Sequence, residues 1–280
     1  MTERKNHAKY IEKIQHFRLI DDIYFNNFMD DNDAGMELFL RIILNDPLLK
    51  VLDIQTQREI SNLYGRSVRF DVFVRDANGV EYNLEIQRSD EGAVEERARF
   101  NSSMLDTTTI KKGFEWGKNH LPPARVIFIT EHDVLHGGQP LYHVRRMVVE
   151  LNNQLFDDKS EIIYVNAEIQ DETALGWLMH DMFCENPDDM HYQVLADRSR
   201  YFKTNEHGVM KMCKAMEELV KEGFNQGVAK GVAQGVAETT WKFVRNLLKG
   251  HEMSYEKIAE AANTSVEEVM RIAKESGLAY

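Results

Sequence analysis

RSVRFDVFVRDANGVEYNLEIQ, residues 66–87, decides how this chain is read. Its first half alternates, with Phe70, Val72 and Val74 on one face and Asp71, Phe73 and Arg75 on the other. Its second half alternates again, setting Tyr82, Leu84 and Ile86 against Glu81, Asn83, Glu85 and Gln87. A period of two is the mark of a strand, and Ala77-Asn78-Gly79 between the halves is turn chemistry, so the segment predicts a β-hairpin. A three-residue loop with Gly79 left-handed pairs Asp76 with Val80 and, counting back, Asp71 with Glu85. Their Cβ atoms would then lie about 4.5–5.5 Å apart on one face, with Gln87 two residues further along it. A two-residue loop would send the two carboxylates to opposite faces.

Directly opposed carboxylates repel unless something compensates them. A divalent cation does so, and oxygen-only ligands suit Mg²⁺ or Mn²⁺. Such an ion polarises a phosphoryl oxygen and lowers the pKa of a bound water. The competing reading is a solvated polar strand face without function.

Outward from the hairpin, residues 8–46 carry apolar side chains at helical spacing (Tyr24, Phe25, Phe28, Met36, Leu38, Phe39, Ile42, Ile43) as far as Pro47. LKVLDIQ (49–55) predicts a first strand, and residues 91–118 a long helix stopped by Pro122-Pro123. ARVIFIT (124–130) and IIYVNAEI (162–169) predict buried strands, and residues 173–183 and 191–222 predict helices. This order implies an α/β core of about 200 residues. A change of composition follows, with glycines at 223, 227, 231 and 235, then a helix over 239–249 and two short helices within 254–275 around Asn263-Thr264.

The 280 residues are 43% hydrophobic and 29% charged, a globular composition. No run of about 18 apolar residues occurs and the first residues lack an apolar leader, so a cytoplasmic protein with no membrane partner is expected. Cys184 and Cys213 have no metal-type partner spacing and are expected as reduced thiols. A net charge of -12 argues against sequence-independent coating of nucleic acid, which needs basic surface, but is compatible with a small acidic metal centre flanked by arginines.

The hairpin resembles the core of the PD-(D/E)XK nuclease family transposases, the recombination-promoting nuclease group. FRLIDDIYFNNFM (17–29), ERARFNSSMLDT (96–107), RVIFITEHDVLHGGQPLYHVRR (125–146), EIIYVNAE (161–168) and LADRSRYFKTNEHG (195–208) resemble further family segments, so the likeness runs over about residues 16–220. The resemblance implies a restriction-endonuclease-like core, a mixed central sheet flanked by helices, over residues 1–205. A helical glycine-repeat connector (206–250) and a helix-turn-helix-like tail (251–280) would follow. It implies Mg²⁺-dependent cleavage of DNA, with Mn²⁺ as a substitute. Asp71 and Glu85 would be metal ligands, the Ile86 carbonyl a third, and Gln87 would orient water. Gln87 stands where the superfamily usually has lysine, and glutamine brings hydrogen bonds without charge. The rival is a nuclease-like fold that has lost catalysis and acts as a binding or regulatory module through its helical tail. Asp22 is either a further metal ligand or a helix cap. Arg97 and Arg99 either contact the scissile phosphate or pair with Glu95 and Glu96.

His132 and His136 have the i, i+4 spacing of a zinc pair, but Gly137-Gly138 and the lack of a third ligand favour a loop. The glycine repeat reads as a semi-flexible helical connector, or as a surface packed in a homodimer. Ser265 and Glu268 form a capping-box pattern, and the tail's six glutamates against three Lys/Arg favour protein contact over DNA.

Overall fold

The computed structural model describes residues 2–61, 67–110, 113–116, 118–250 and 252–279, and the chain divides into two compact units, Met1–Met216 and Glu217–Tyr280. In the first unit α1 (Thr2–Gln15), α2 (Asp22–Met29) and α3 (Asp33–Leu44) precede strands β1 (Val51–Ile60), β2 (Val68–Asp76) and β3 (Glu81–Gln87). A 3-10 turn (Asp90–Ala93) and α4 (Glu95–Thr107) lead to β4 (Ala124–Thr130), β5 (Leu141–Val144), the short pair β6 (Met147–Val148) and β7 (Gln154–Leu155), and β8 (Ser160–Asn166). Helices α5 (Ala174–Phe183) and α6 (Gln193–Thr204) follow. The main sheet runs β1-β2-β3-β4-β8-β5. Its β1, β2 and β3 are antiparallel neighbours, β4 is parallel to β3 and to β8, and β5 closes the edge antiparallel to β8. This is the mixed sheet flanked by helices that the sequence predicts.

The hairpin has the three-residue loop. Gly79 is left-handed at φ 79°, Asp76 N–H donates to the Val80 carbonyl at 3.1 Å, and the ladder pairs Val72 with Leu84 through to Arg75 with Glu81. The Asp76 carboxylate fixes the loop by accepting from the backbone N–H of Asn78 and Val80 at 2.9 Å and from the Tyr82 hydroxyl at 2.9 Å.

Two apolar layers cover the sheet. On one side Val72, Val74, Leu84, Ile86, Ile127, Ile129, Ile163 and Val165 pack with Tyr24, Phe25, Phe28, Phe39, Leu178 and Phe202 from the helices. On the other Phe73, Val126, Phe128 and Tyr164 pack with Ala98, Met104 and Leu105 of α4. Phe70 departs from the predicted alternation: it joins the Phe73 layer, next to the point where Gln57 of β1 turns left-handed and drops out of the ladder between Thr56↔Val72 and Arg58↔Phe70. Lys203 pins the first helical layer, its ammonium donating to the carbonyls of Gln15 (2.9 Å), Phe17 (2.6 Å) and Glu185.

The helix predicted over 91–118 is shorter. Val94 is extended, and α4 ends at Thr107 in a run of β-branched residues. There the Thr107 and Thr108 hydroxyls turn back to the Met104 and Leu105 carbonyls, and Thr108 and Thr109 also donate to Glu81.

Residues 206–250, read as a semi-flexible connector followed by a helix, form one continuous helix, α7 (Glu206–Gly250), within which the boundary between the units falls. At Gly223, Gly227, Gly231 and Gly235 a Cβ would meet nothing within 4 Å, so packing within the described residues does not explain them. In the second unit Val244 and Leu248 of α7 bury against Ile258 and Ala259 of α8 (Tyr255–Ala261) and Val269, Ile272 and Ala273 of α9 (Val266–Glu275). Ser265 caps α9 by accepting from Glu268 N–H, while the Glu268 carboxylate pairs with Arg271. Among the described residues no helix is long and apolar enough to cross a membrane.

Candidate active site

The polar face of β3 is not solvated. Glu81 and Asn83 are 2% and 0% exposed and Glu85 is 0%, because α4 lies across them. The Glu81 carboxylate is held by Arg75 at 2.8 Å and by the Thr108 and Thr109 hydroxyls at the end of α4. At the start of α4, Arg97 reaches Glu85 at 2.8 Å and donates its other terminal N–H to the Gly92 carbonyl at 2.8 Å. Arg97 is therefore paired with Glu85, not with Glu95 or Glu96. Asn101, one turn beyond Arg97, is fully buried with both amide atoms unpartnered, as is Asn83 Oδ1. A buried polar group left without a partner costs about 1–3 kcal/mol.

The hairpin register carries Asp71 opposite Glu85, one pair beyond the end of the regular ladder. There side chains replace main-chain bonds: the Asp71 carboxylate accepts from Ile86 N–H at 3.0 Å, and the Glu85 carboxylate accepts from Asp71 N–H. Glu85 also accepts from Asn83 Nδ2 at 3.0 Å. Within a strand the N–H and C=O of one residue project from the same edge, so the Ile86 carbonyl also faces the β2 side. Burial and the charges of Glu85 and Asp22 hold the Asp71 carboxyl well above its ordinary range. Burial raises Glu85 too, against the lowering effect of Arg97, Asn83 and Asp71 N–H.

Asp22 is the first residue of α2, not its cap. Asp21 holds the cap position and makes no capping side-chain bond. Instead Asp21 and Glu131 are bridged by Arg88, which follows Gln87, at 2.9 and 2.8 Å. The Asp22 carboxyl accepts from Asn26 at 2.9 Å and its charge raises the pKa of both Asp71 and Glu85. Its own pKa is raised by desolvation, opposed by Asn26 and by the charges of Arg69 and Arg97. Asp22 acts on the pair through charge, without the three carboxyls forming a cluster whose ligand atoms all lie within 4.8 Å.

Gln87 closes the row. Its amide oxygen sits 1.8 Å from where a Cβ on Gly92 would stand, so only glycine leaves it room. Arg99 is exposed and its side chain has no partner among the described residues. Sequence reasoning missed Arg69, exposed on β2 two residues before Asp71 and free of ion pairs among the described residues, together with Asn83 and Gly92. The alternation that singled out Glu85 places Asn83 on the same face, whereas Arg69 lies before the point where Phe70 breaks the alternation. His132 and His136 lie in a loop, His132 paired with Glu168 at 3.1 Å.

The family model of the PD-(D/E)XK nuclease family transposases matches residues 30–174, which contain the hairpin and α4 but not Asp22. No curated protein and no solved structure matches the chain.

Proposed function

Because the chain belongs to the PD-(D/E)XK nuclease family transposases, we propose that the hairpin end is the centre of a Mg²⁺-dependent DNA endonuclease that hydrolyses phosphodiester bonds. The observation that supports it most is the Asp71–Glu85 pair: two acidic groups side by side, desolvated and mutually repelling. The donor set fits a hard divalent ion, since every candidate ligand is oxygen and the pair carries more negative charge than Arg97 offsets. Asp71, Glu85 and the Ile86 carbonyl would hold the ion, with Asp22 adding negative charge beside it. When bound, a divalent ion supplies Lewis acidity toward the phosphate and a more acidic water. Mn²⁺ would replace Mg²⁺ on the same ligands.

The chain's own residues supply the rest. Gln87 accepts from and donates to the attacking water, fixing its direction without adding charge. Arg97 keeps Glu85 in place, and the guanidinium groups of Arg69 and Arg99, unpaired among the described residues, take the phosphates on either side. Free Cys184 and Cys213 suit a reducing, cytoplasmic setting. Exposed Val228, Val232 and Val236 beside the repeat glycines suit pairing of two copies through α7.

The test is nicking of supercoiled plasmid by the full chain. Cutting in Mg²⁺ or Mn²⁺ is expected, stopped by EDTA and lost in Glu85→Gln. Equal cutting by wild type and variant would remove the assignment. No cutting by either would leave the fold as a binding module.

A second measurement isolates Gln87. Gly92→Ala should displace its amide, leaving stability within about 1 kcal/mol because a flexible side-chain end can move, and slowing cleavage about tenfold or more. In a Gln87→Ala background the same change should have no further effect. Full activity in Gly92→Ala would show that the position of this amide does not matter.

A further inference from the structure

We infer that the end of α5 forms a second metal site, for a thiophilic divalent cation of the zinc type, built from His180, Asp181 and Cys184. Among the described residues these three form the group whose ligand atoms all lie within 4.8 Å of one another. None of them belongs to the hairpin centre, and the inference does not depend on the nuclease reading.

His180 and Cys184 stand four residues apart across the last turn of α5, which puts both on one face. His180 Nδ1 lies 3.5 Å from Cys184 Sγ and 3.3 Å from Asp181 Oδ1. With Zn–N and Zn–O bonds of about 2.0–2.1 Å and Zn–S of about 2.3 Å, a tetrahedral ion sets its ligands about 3.6 Å apart for nitrogen and sulfur and about 3.3 Å apart for nitrogen and oxygen. The observed separations match both edges. Sulfur with imidazole and one carboxylate selects zinc-like ions over the magnesium class.

The surroundings are already in place. Asp181 is fully buried, its oxygens oriented by the backbone N–H groups of His191 and Tyr192 at 2.8 and 2.9 Å, as an outer hydrogen-bond shell orients a ligand. His191 packs its ring against that of His180 at 4.7 Å and is backed by Trp177 at 5.5 Å, which fixes the imidazole beside the three ligands. Beside His180 Nδ1, the Cys184 thiol contacts the His180 and Asp189 carbonyls at 3.6 and 3.7 Å. Burial and the charges of Asp181 and Asp189 push this thiol up to about 11. A cation would reverse that: the thiol gives up its proton to solvent as the sulfur–metal bond forms, one proton released per ion bound. The sequence signal is the His180-x3-Cys184 spacing, against the expectation that neither cysteine has a metal-type partner.

The test uses the full chain, stripped with chelator and titrated with Co²⁺. A tetrahedral, thiolate-bound cobalt gives intense visible bands and a sulfur-to-metal charge-transfer band, which an all-oxygen site cannot give. We expect one equivalent of such cobalt, with the charge-transfer band lost in Cys184→Ser and kept in Cys213→Ser and in Asp71→Asn. A second readout needs no variant: Zn²⁺ should slow alkylation of Cys184, mapped by mass spectrometry, at least tenfold while leaving Cys213 unchanged. Absence of the charge-transfer band, or alkylation of Cys184 at the same rate with and without Zn²⁺, overturns the inference.

Discussion

Asp71→Asn is expected to make the metal-free protein more stable while lowering cleavage on the order of a thousandfold, the several kcal/mol that a metal ligand contributes to phosphoryl chemistry. The sign follows from the raised pKa of Asp71, which burial and the Glu85 and Asp22 charges produce. The fold binds this proton more tightly than the unfolded chain does. Stability is therefore lost as pH rises from the ordinary carboxylate value to the raised one, and the deficit persists above it. Asparagine can still accept the Ile86 N–H and carries no charge. At neutral pH the gain should be about 1–2 kcal/mol, each kcal/mol worth about 2–4 °C in melting temperature for a unit of this size. The gain should vanish in acid, where Asp71 is protonated. Mn²⁺ should raise the melting temperature of the wild type, more at pH 8 than at pH 5 because binding expels the proton, and leave the variant unmoved. A variant that cuts at the wild-type rate, or that is less stable at neutral pH, contradicts the assignment.

Arg97→Ala should have the largest effect on stability at the site. It leaves Glu85, 0% exposed, without the cation that pairs with it among the described residues. Losing one partner of a buried pair costs about 3–5 kcal/mol. Because the Arg97 side chain is 38% exposed, water takes over part of the loss, and about 2–3 kcal/mol is expected in urea unfolding. The deficit should shrink as pH falls, since Glu85, already raised, then takes up its proton more readily. Combining Arg97→Ala with Glu85→Gln should recover a kcal/mol or more, the coupling expected of residues in contact. Additive losses in the double variant would show that the two side chains do not depend on each other.

Most of the first unit could be read from local pattern. Apolar runs marked β4 and β8, and Gly79 at the left-handed turn position set the hairpin register, because turn chemistry and strand alternation are properties of neighbours in sequence. What stayed hidden depends on distant partners. The end of α4 is decided by Thr108 and Thr109 meeting Glu81, 27 and 28 residues away. The burial of Asn83 and Glu85 could not be read either, since an alternating polar face looks solvated until a helix is laid on it. The partner of Arg97 is hidden for the same reason. Within the candidate site, the residue types and their opposition were legible, while Arg69, Gly92 and the role of Arg97 came only with the coordinates.

At its open end the β2–β3 hairpin is fastened by two carboxylates in place of a peptide rung. Peptide rungs hold equally well in acid, in base, or in any salt. Carboxylate fastenings respond to the solution: a proton loosens the grip of a carboxylate on its N–H donor, and a cation bound there would draw the oxygens toward itself. The tip of the sheet is thus a chemically addressable joint.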